Sequence, residues 1–141
     1  MAYAIQPINV TAATTFTRNR HGNLVVTLTS TTGRIITLPA STGSGDTYDV
    51  FVAATVSSGS HVVQVANSTD VIQGAIHLTT DIAGTSMPTA ATTDTITMNG
   101  STTGGVIGSW VRLTDVAVGF FRLEGALICT GTEATPFSAA V

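Results

Sequence analysis

The chain has 141 residues, of which 9% are charged, with a formal net charge of −3 and no lysine; an average soluble domain is about 25% charged. This length fits one domain. Five scattered arginines on a net-negative chain exclude a nucleic-acid-binding face, no apolar run approaches the roughly 18 residues of a membrane helix, and the single Cys129 makes neither an internal disulfide nor a zinc site.

The first ten residues carry no basic n-region and no long apolar h-region, so no secretion signal is expected. Residues 1–22 have no firm period. Pro7 interrupts the apolar Tyr3, Ile5, Ile8 and Val10, and Arg18-Asn19-Arg20-His21-Gly22 closes the stretch. It reads as an extended N-terminal arm, or else as an edge strand with a loop. Residues 23–141 read as one all-β domain.

Leu24 to Thr29 alternates, with Leu24, Val26 and Leu28 on one face, and Arg34 to Leu38 returns after the turn at Ser30–Gly33. Together they predict a hairpin, ended by Pro39. Ser41 to Asp46 is a loop by composition. Tyr48 to Val56 is apolar on both faces, which predicts a strand covered on both sides, in mid-sandwich or at a subunit contact. His61 to Ala66 and Val71 to Leu78 follow as short strands. Asp81 to Thr93 reads as the longest irregular stretch. Ile96 to Met98 precedes the turn dipeptide Asn99-Gly100. Val106 to Leu113 and Val116 to Leu123 predict a hairpin joined at Thr114-Asp115, and Ala126 to Cys129 is a last strand. About nine short, mainly antiparallel strands at this spacing make a compact sandwich or barrel. Helix formers are scarce, and no segment has a convincing period of 3.6.

Catalytic ingredients occur without arrangement. No Gly-x-Ser-x-Gly elbow is present. Ser60 and His61 are neighbours in a strand, so they face opposite ways. Gly43-Ser44-Gly45 lacks the third glycine of a dinucleotide loop, because position 48 is Tyr, and no Walker lysine exists. His61 and His77 have no third ligand nearby, so no metal is expected. The reading is a non-enzyme without cofactors. Trp110 offers a stacking surface for a sugar ring, although a strand tryptophan more often fills a core or an interface.

Charge and proline normally protect sheet edges. Here they are sparse, which points to edges covered by another subunit or a larger assembly. The run Ile36-Thr37-Leu38-Pro39-Ala40-Ser41-Thr42-Gly43-Ser44-Gly45-Asp46-Thr47-Tyr48 resembles the capsid decoration, or cement, proteins of tailed bacteriophage heads. So does the apolar strand after it. Ser109-Trp110-Val111-Arg112-Leu113-Thr114-Asp115, then Val118-Gly119-Phe120, and the terminal Gly131-Thr132-Glu133-Ala134-Thr135-Pro136-Phe137 are similar too. The resemblance spans roughly residues 30–137.

It implies an all-β homotrimer, made in the host cytoplasm, that binds the major capsid protein on the outer surface of the virion and stabilises the shell. Nucleic acid and membrane are not expected partners. Two surfaces follow as expectations. Trp110, Phe120 and Phe121 would anchor a subunit interface, or else fill the monomer core. Tyr3, Ile5, Ile8, Arg18 and Arg20 would meet the capsid, the arginines through acidic loops. The alternative is a head-fibre or tail-associated module that binds host-surface carbohydrate, which requires Trp110 to be exposed.

Overall fold

A computed structural model describes residues 6–141. Its elements are β1 (Ile8–Asn9), β2 (Thr14–Thr15), α1 (Arg18–His21), β3 (Leu24–Leu28), β4 (Ile35–Thr37), β5 (Thr47–Val52), β6 (His61–Gln64), β7 (Val71–Thr79), β8 (Gly84–Pro88), β9 (Thr95–Met98), β10 (Trp110–Ala117), β11 (Phe120–Ile128) and β12 (Phe137–Ser138). Seven strands form one sheet in the order β1-β3-β5-β10-β11-β7-β8, and five form the other in the order β12-β9-β6-β4-β2. The fold is an all-β sandwich, as the strand pattern predicts.

Alternation builds the core. In β5, Tyr48, Val50 and Val52 are buried, and in β10 so are Val111 and Leu113. The small sheet presents Ile36, Val63, Ile96 and Met98 to the same core. Each such buried side chain contributes about 1.5–3 kcal/mol relative to exposure. The strand over Tyr48–Val52 is therefore covered on one face only: Phe51 points outward and stands exposed. Its outward face gave the appearance of a doubly buried strand because Phe51 interrupts the polar half of the alternation.

The expected hairpin of residues 24–38 does not form. β3 lies in the large sheet and β4 in the small one, so the turn at Ser30–Gly33 crosses between layers. Each strand pairs instead with the next strand of its own layer, β3 with β5 and β4 with β6, both in parallel. Gly33 permits this crossing, because a Cβ there would lie 2.2 Å from the Ser60 carbonyl oxygen. The expectation of mainly antiparallel strands fails: five strand pairings are parallel and five antiparallel among the described residues, because crossing between layers leaves β3 and β4 to pair with later strands running the same way.

The segment expected as an arm is built into the sandwich over residues 6–22. β1 pairs with β3 and β2 with β4, so the chain enters along one sheet and crosses to the other. Phe16 explains the anchoring. It is fully buried, stacks on His21 with ring centroids 4.5 Å apart, and reaches Tyr48 at 6.2 Å. Burying such a ring contributes about 3 kcal/mol toward the cost of ordering the segment, and the pairings of β1 and β2 and the burial of Val10 add to it.

The β10–β11 hairpin exists, but its turn lies at Val118-Gly119 rather than Thr114-Asp115. Gly119 supplies the positive φ of 87°. A bulge between Asp115 and Ala117 shifts the register just before the turn. The strands expected to end at Leu123 and to begin at Ala126 are one, and Gly125 does not break it. This glycine sits inside β11, where a Cβ would lie 2.4 Å from the Trp110 carbonyl oxygen.

Candidate functional site

Three places on the molecule concentrate polar or exposed chemistry. The first is the end of the sandwich where the loop of residues 39–46, the Asn67–Asp70 turn and the β10–β11 turn meet. Asp115 occupies an inward position of β10 and is 3% exposed. Its carboxylate accepts the amides of Thr42 (2.9 Å) and Gly43 (2.7 Å) and the hydroxyls of Thr42 (3.2 Å) and Ser44 (3.1 Å). Burial pushes its pKa up, but these donors outweigh burial and hold it below the usual carboxylate value. Asp70 braces the same loop through hydrogen bonds of its own. It accepts the Ser41 amide (2.9 Å), the Ser41 hydroxyl (2.8 Å) and the Asn67 side-chain amide (3.0 Å). Ser41 Oγ in turn accepts the Gly119 amide at 2.6 Å. The Ser-Thr-Gly-Ser-Gly loop is thus held rigid by two carboxylates.

That scaffold presents an apolar tip. Val118 is 76% exposed and Phe120 48%, with Val116 beside them half in solvent. These are large apolar groups on a short, fixed turn.

The second place is the outer face of the large sheet. Trp110 lies directly across from Phe51, and Arg112 directly across from Asp49. The guanidinium donates from Nε to Asp49 Oδ1 (2.7 Å) and from Nη2 to Oδ2 (3.0 Å). The Asp49 hydrogen bond, then its charge, raises the Arg112 pKa. Arg122 pairs with Glu124 at 3.0 Å on the same face. Trp110 is 37% exposed and Phe51 38%, so Trp110 meets the exposure that the carbohydrate alternative requires.

The third place is a groove of about 390 Å³ along the N-terminal segment, lined by Ile8, Thr11, Thr14, Arg20 and neighbours. Of the residues expected to face a capsid, Tyr3 and Ile5 lie outside the described residues. Ile8 packs against the core. Arg18 is committed to an ion pair with Asp46, whose pKa is held low by the Ser44 hydroxyl, the Asn23 amide and this arginine. Arg20 is exposed and has no carboxylate partner among the described residues.

The three aromatics grouped as one interface are split. Phe121 is fully buried and meets Tyr48 edge-on at 6.5 Å, so it belongs to the core. Phe120 and the strand partner of Trp110, Ala126, are six residues apart on β11, or about 20 Å. The two exposed rings therefore mark opposite ends of one sheet face.

Ser60 and His61 form no catalytic pair. His61 is fully buried, its Nδ1 accepts the Arg34 amide at 3.1 Å, and burial lowers its pKa. No group of three or more His, Cys, Asp or Glu side chains converges among the described residues, and no helix there is long and apolar enough to cross a membrane. Sequence reasoning missed Asp70 and Asp115 because both resemble turn residues. The parity of β10 carried a signal for Asp115: it shares the inward face with Val111 and Leu113. Comparison with protein-family models, curated proteins and solved structures finds no match.

Proposed function

We propose that this chain is a non-enzymatic decoration protein that binds the major capsid protein on the outside of a phage head as a homotrimer and stabilises the shell. The observation that carries the reading is the apolar tip of Val116, Val118 and Phe120, held on a carboxylate-braced turn. A chain with 9% charge gains little from ion pairing with a partner. Its contacts must come from apolar area at about 25 cal/mol per Å² and from hydroxyl hydrogen bonds. Rigid apolar anchors lose little entropy on docking. The tip replaces the Trp110–Phe120–Phe121 cluster as the candidate subunit contact; shell binding depends on it through the avidity of the trimer it holds together, and Arg20 remains the cationic group available to an acidic shell loop.

The test is co-sedimentation with assembled heads of the phage that carries the gene. Saturable binding at a fixed ratio per shell, lost in Val118→Asp and kept in a surface control such as Thr132→Asp, supports the reading. Absence of binding by the folded native chain overturns it.

A further inference from the structure

We propose that the cleft on the outer face of the large sheet, between Val25, Phe51, Trp110 and the Asp49–Arg112 pair, binds a neutral sugar residue. Its chemistry is independent of shell binding. The cleft has a volume of about 170 Å³, well under the roughly 300 Å³ of a pocket for a drug-sized molecule. It fits one small ring.

The walls have two characters. Trp110 and Phe51 are directly opposed across an antiparallel pair and both stand partly in solvent, with Val25 exposed beside them. They offer aromatic faces for the apolar C–H side of a ring. One register step along, Arg112 and Asp49 close the cleft. Their bidentate contact consumes two of the five guanidinium N–H donors and two of about four carboxylate acceptor sites. Three donors and two acceptors remain, held in one plane. A ligand with a C–H face and a rim of hydroxyls that both donate and accept satisfies both walls.

Charge selects further. The two ions cancel each other within the cleft, so neither an anion nor a cation gains a net counter-charge there. A neutral polyol gains charge-assisted hydrogen bonds without that mismatch. The site is also partly preorganised, because strand register fixes the backbone positions from which the two rings project and the bidentate ion pair fixes the Arg112 rotamer. A second copy of the chain is the competing occupant. The apolar part of the cleft is three side chains, far short of the roughly 800 Å² per partner of a standard interface.

Trp110 is the sole tryptophan, so intrinsic fluorescence reports on this cleft alone. The experiment screens the native chain against a printed array of neutral and anionic glycans. The strongest hit is then titrated while Trp110 emission is read. Hits confined to neutral glycans are expected, with an emission change that saturates at a Kd of about 1 mM per sugar residue. Arg112→Ala weakens binding about tenfold or more, Arg112→Lys restores it only in part, and Trp110→Ala abolishes it on the array. Circular dichroism confirms that each variant is folded. Absence of a saturable change in Trp110 emission with neutral sugars at about 10 mM, roughly tenfold above that Kd, overturns the proposal. So does binding that survives Trp110→Ala, or Trp110 emission that shifts on dilution alone, which would place a second copy in the cleft. Native mass and shell binding of Trp110→Ala are expected to match the unsubstituted chain. Their loss would assign Trp110 to a subunit contact and overturn the sugar site.

Discussion

Asp115 is the residue on which the loop end depends. It holds two backbone amides and two hydroxyls from a segment 71–73 positions away. Hydrogen bonds to a charged acceptor contribute about 1.5–3 kcal/mol each, and not additively. Asp115→Ala is expected to lower unfolding free energy by about 2–4 kcal/mol with an unchanged m-value in urea. The same bonds make the fold acid-sensitive. The native pKa of Asp115 lies below the unfolded value, as does that of Asp94, where burial raises it but the amides of Ala140 and Val141 and the Thr95 hydroxyl outweigh burial. Their stabilisation is complete above the ordinary carboxylate pKa of about 3.9 and is lost as pH falls through the depressed native values. Buried His61 and His21 act in the same direction at higher pH. Desolvation lowers both native pKa values, so below about 6.5 the unfolded chain binds protons that the fold refuses. Stability should therefore fall steadily from pH 7 to pH 3. Proton NMR of the His21 and His61 rings should show midpoints below 6.5; midpoints at or above that value contradict the account.

At the scale of elements, legibility followed exposure. β3, β5, β6 and β7 were readable because one face is buried, and burial leaves a period of two in the sequence. β8 was not: both faces of Gly84–Pro88 are largely exposed, so no apolar alternation marks it. The layer crossing at Ser30–Gly33 was also invisible, since a turn composition does not say which sheet receives the next strand. The Asn67 and Asp70 side chains looked like loop filler, though they organise the turn. β8 is the longest free edge, because β1, β2 and β12 are only two residues each and short edges need few charged guards. The bonds from the Thr80 amide to the Ala83 carbonyl and from the Thr89 amide to the Gly74 carbonyl set the phase of the β7–β8 ladder. Antiparallel alternation then turns the amides of Thr85 and Met87 toward β7 and those of Gly84 and Ser86 outward. Hydrogen exchange should be slow at Thr85 and Met87 and fast at Gly84 and Ser86. Protection at Gly84 and Ser86 would show that another strand covers this edge in solution.

The whole molecule is a sandwich whose surface relies on threonine, 27 residues of 141, more than on charge. Its few ions are largely spent internally: Arg18 on Asp46, Arg112 on Asp49, Arg122 on Glu124. Salt should therefore affect association weakly. An assembly through the Val116–Phe120 tip should persist in about 1 M sodium chloride, where exposed ion pairs are screened, and a collapse of native mass on adding salt would assign the contact to charge instead. The all-β class was legible from composition alone. The partition of the aromatics was not, because Trp110, Phe120 and Phe121 differ in burial only through the phase of two paired strands and the bulge after Asp115. The most direct test of the decoration-protein account is the native mass, by light scattering behind a sizing column over a wide dilution range. The account predicts three times the 14.4 kDa chain mass, unchanged on dilution; a stable species of 14.4 kDa at every concentration would contradict it.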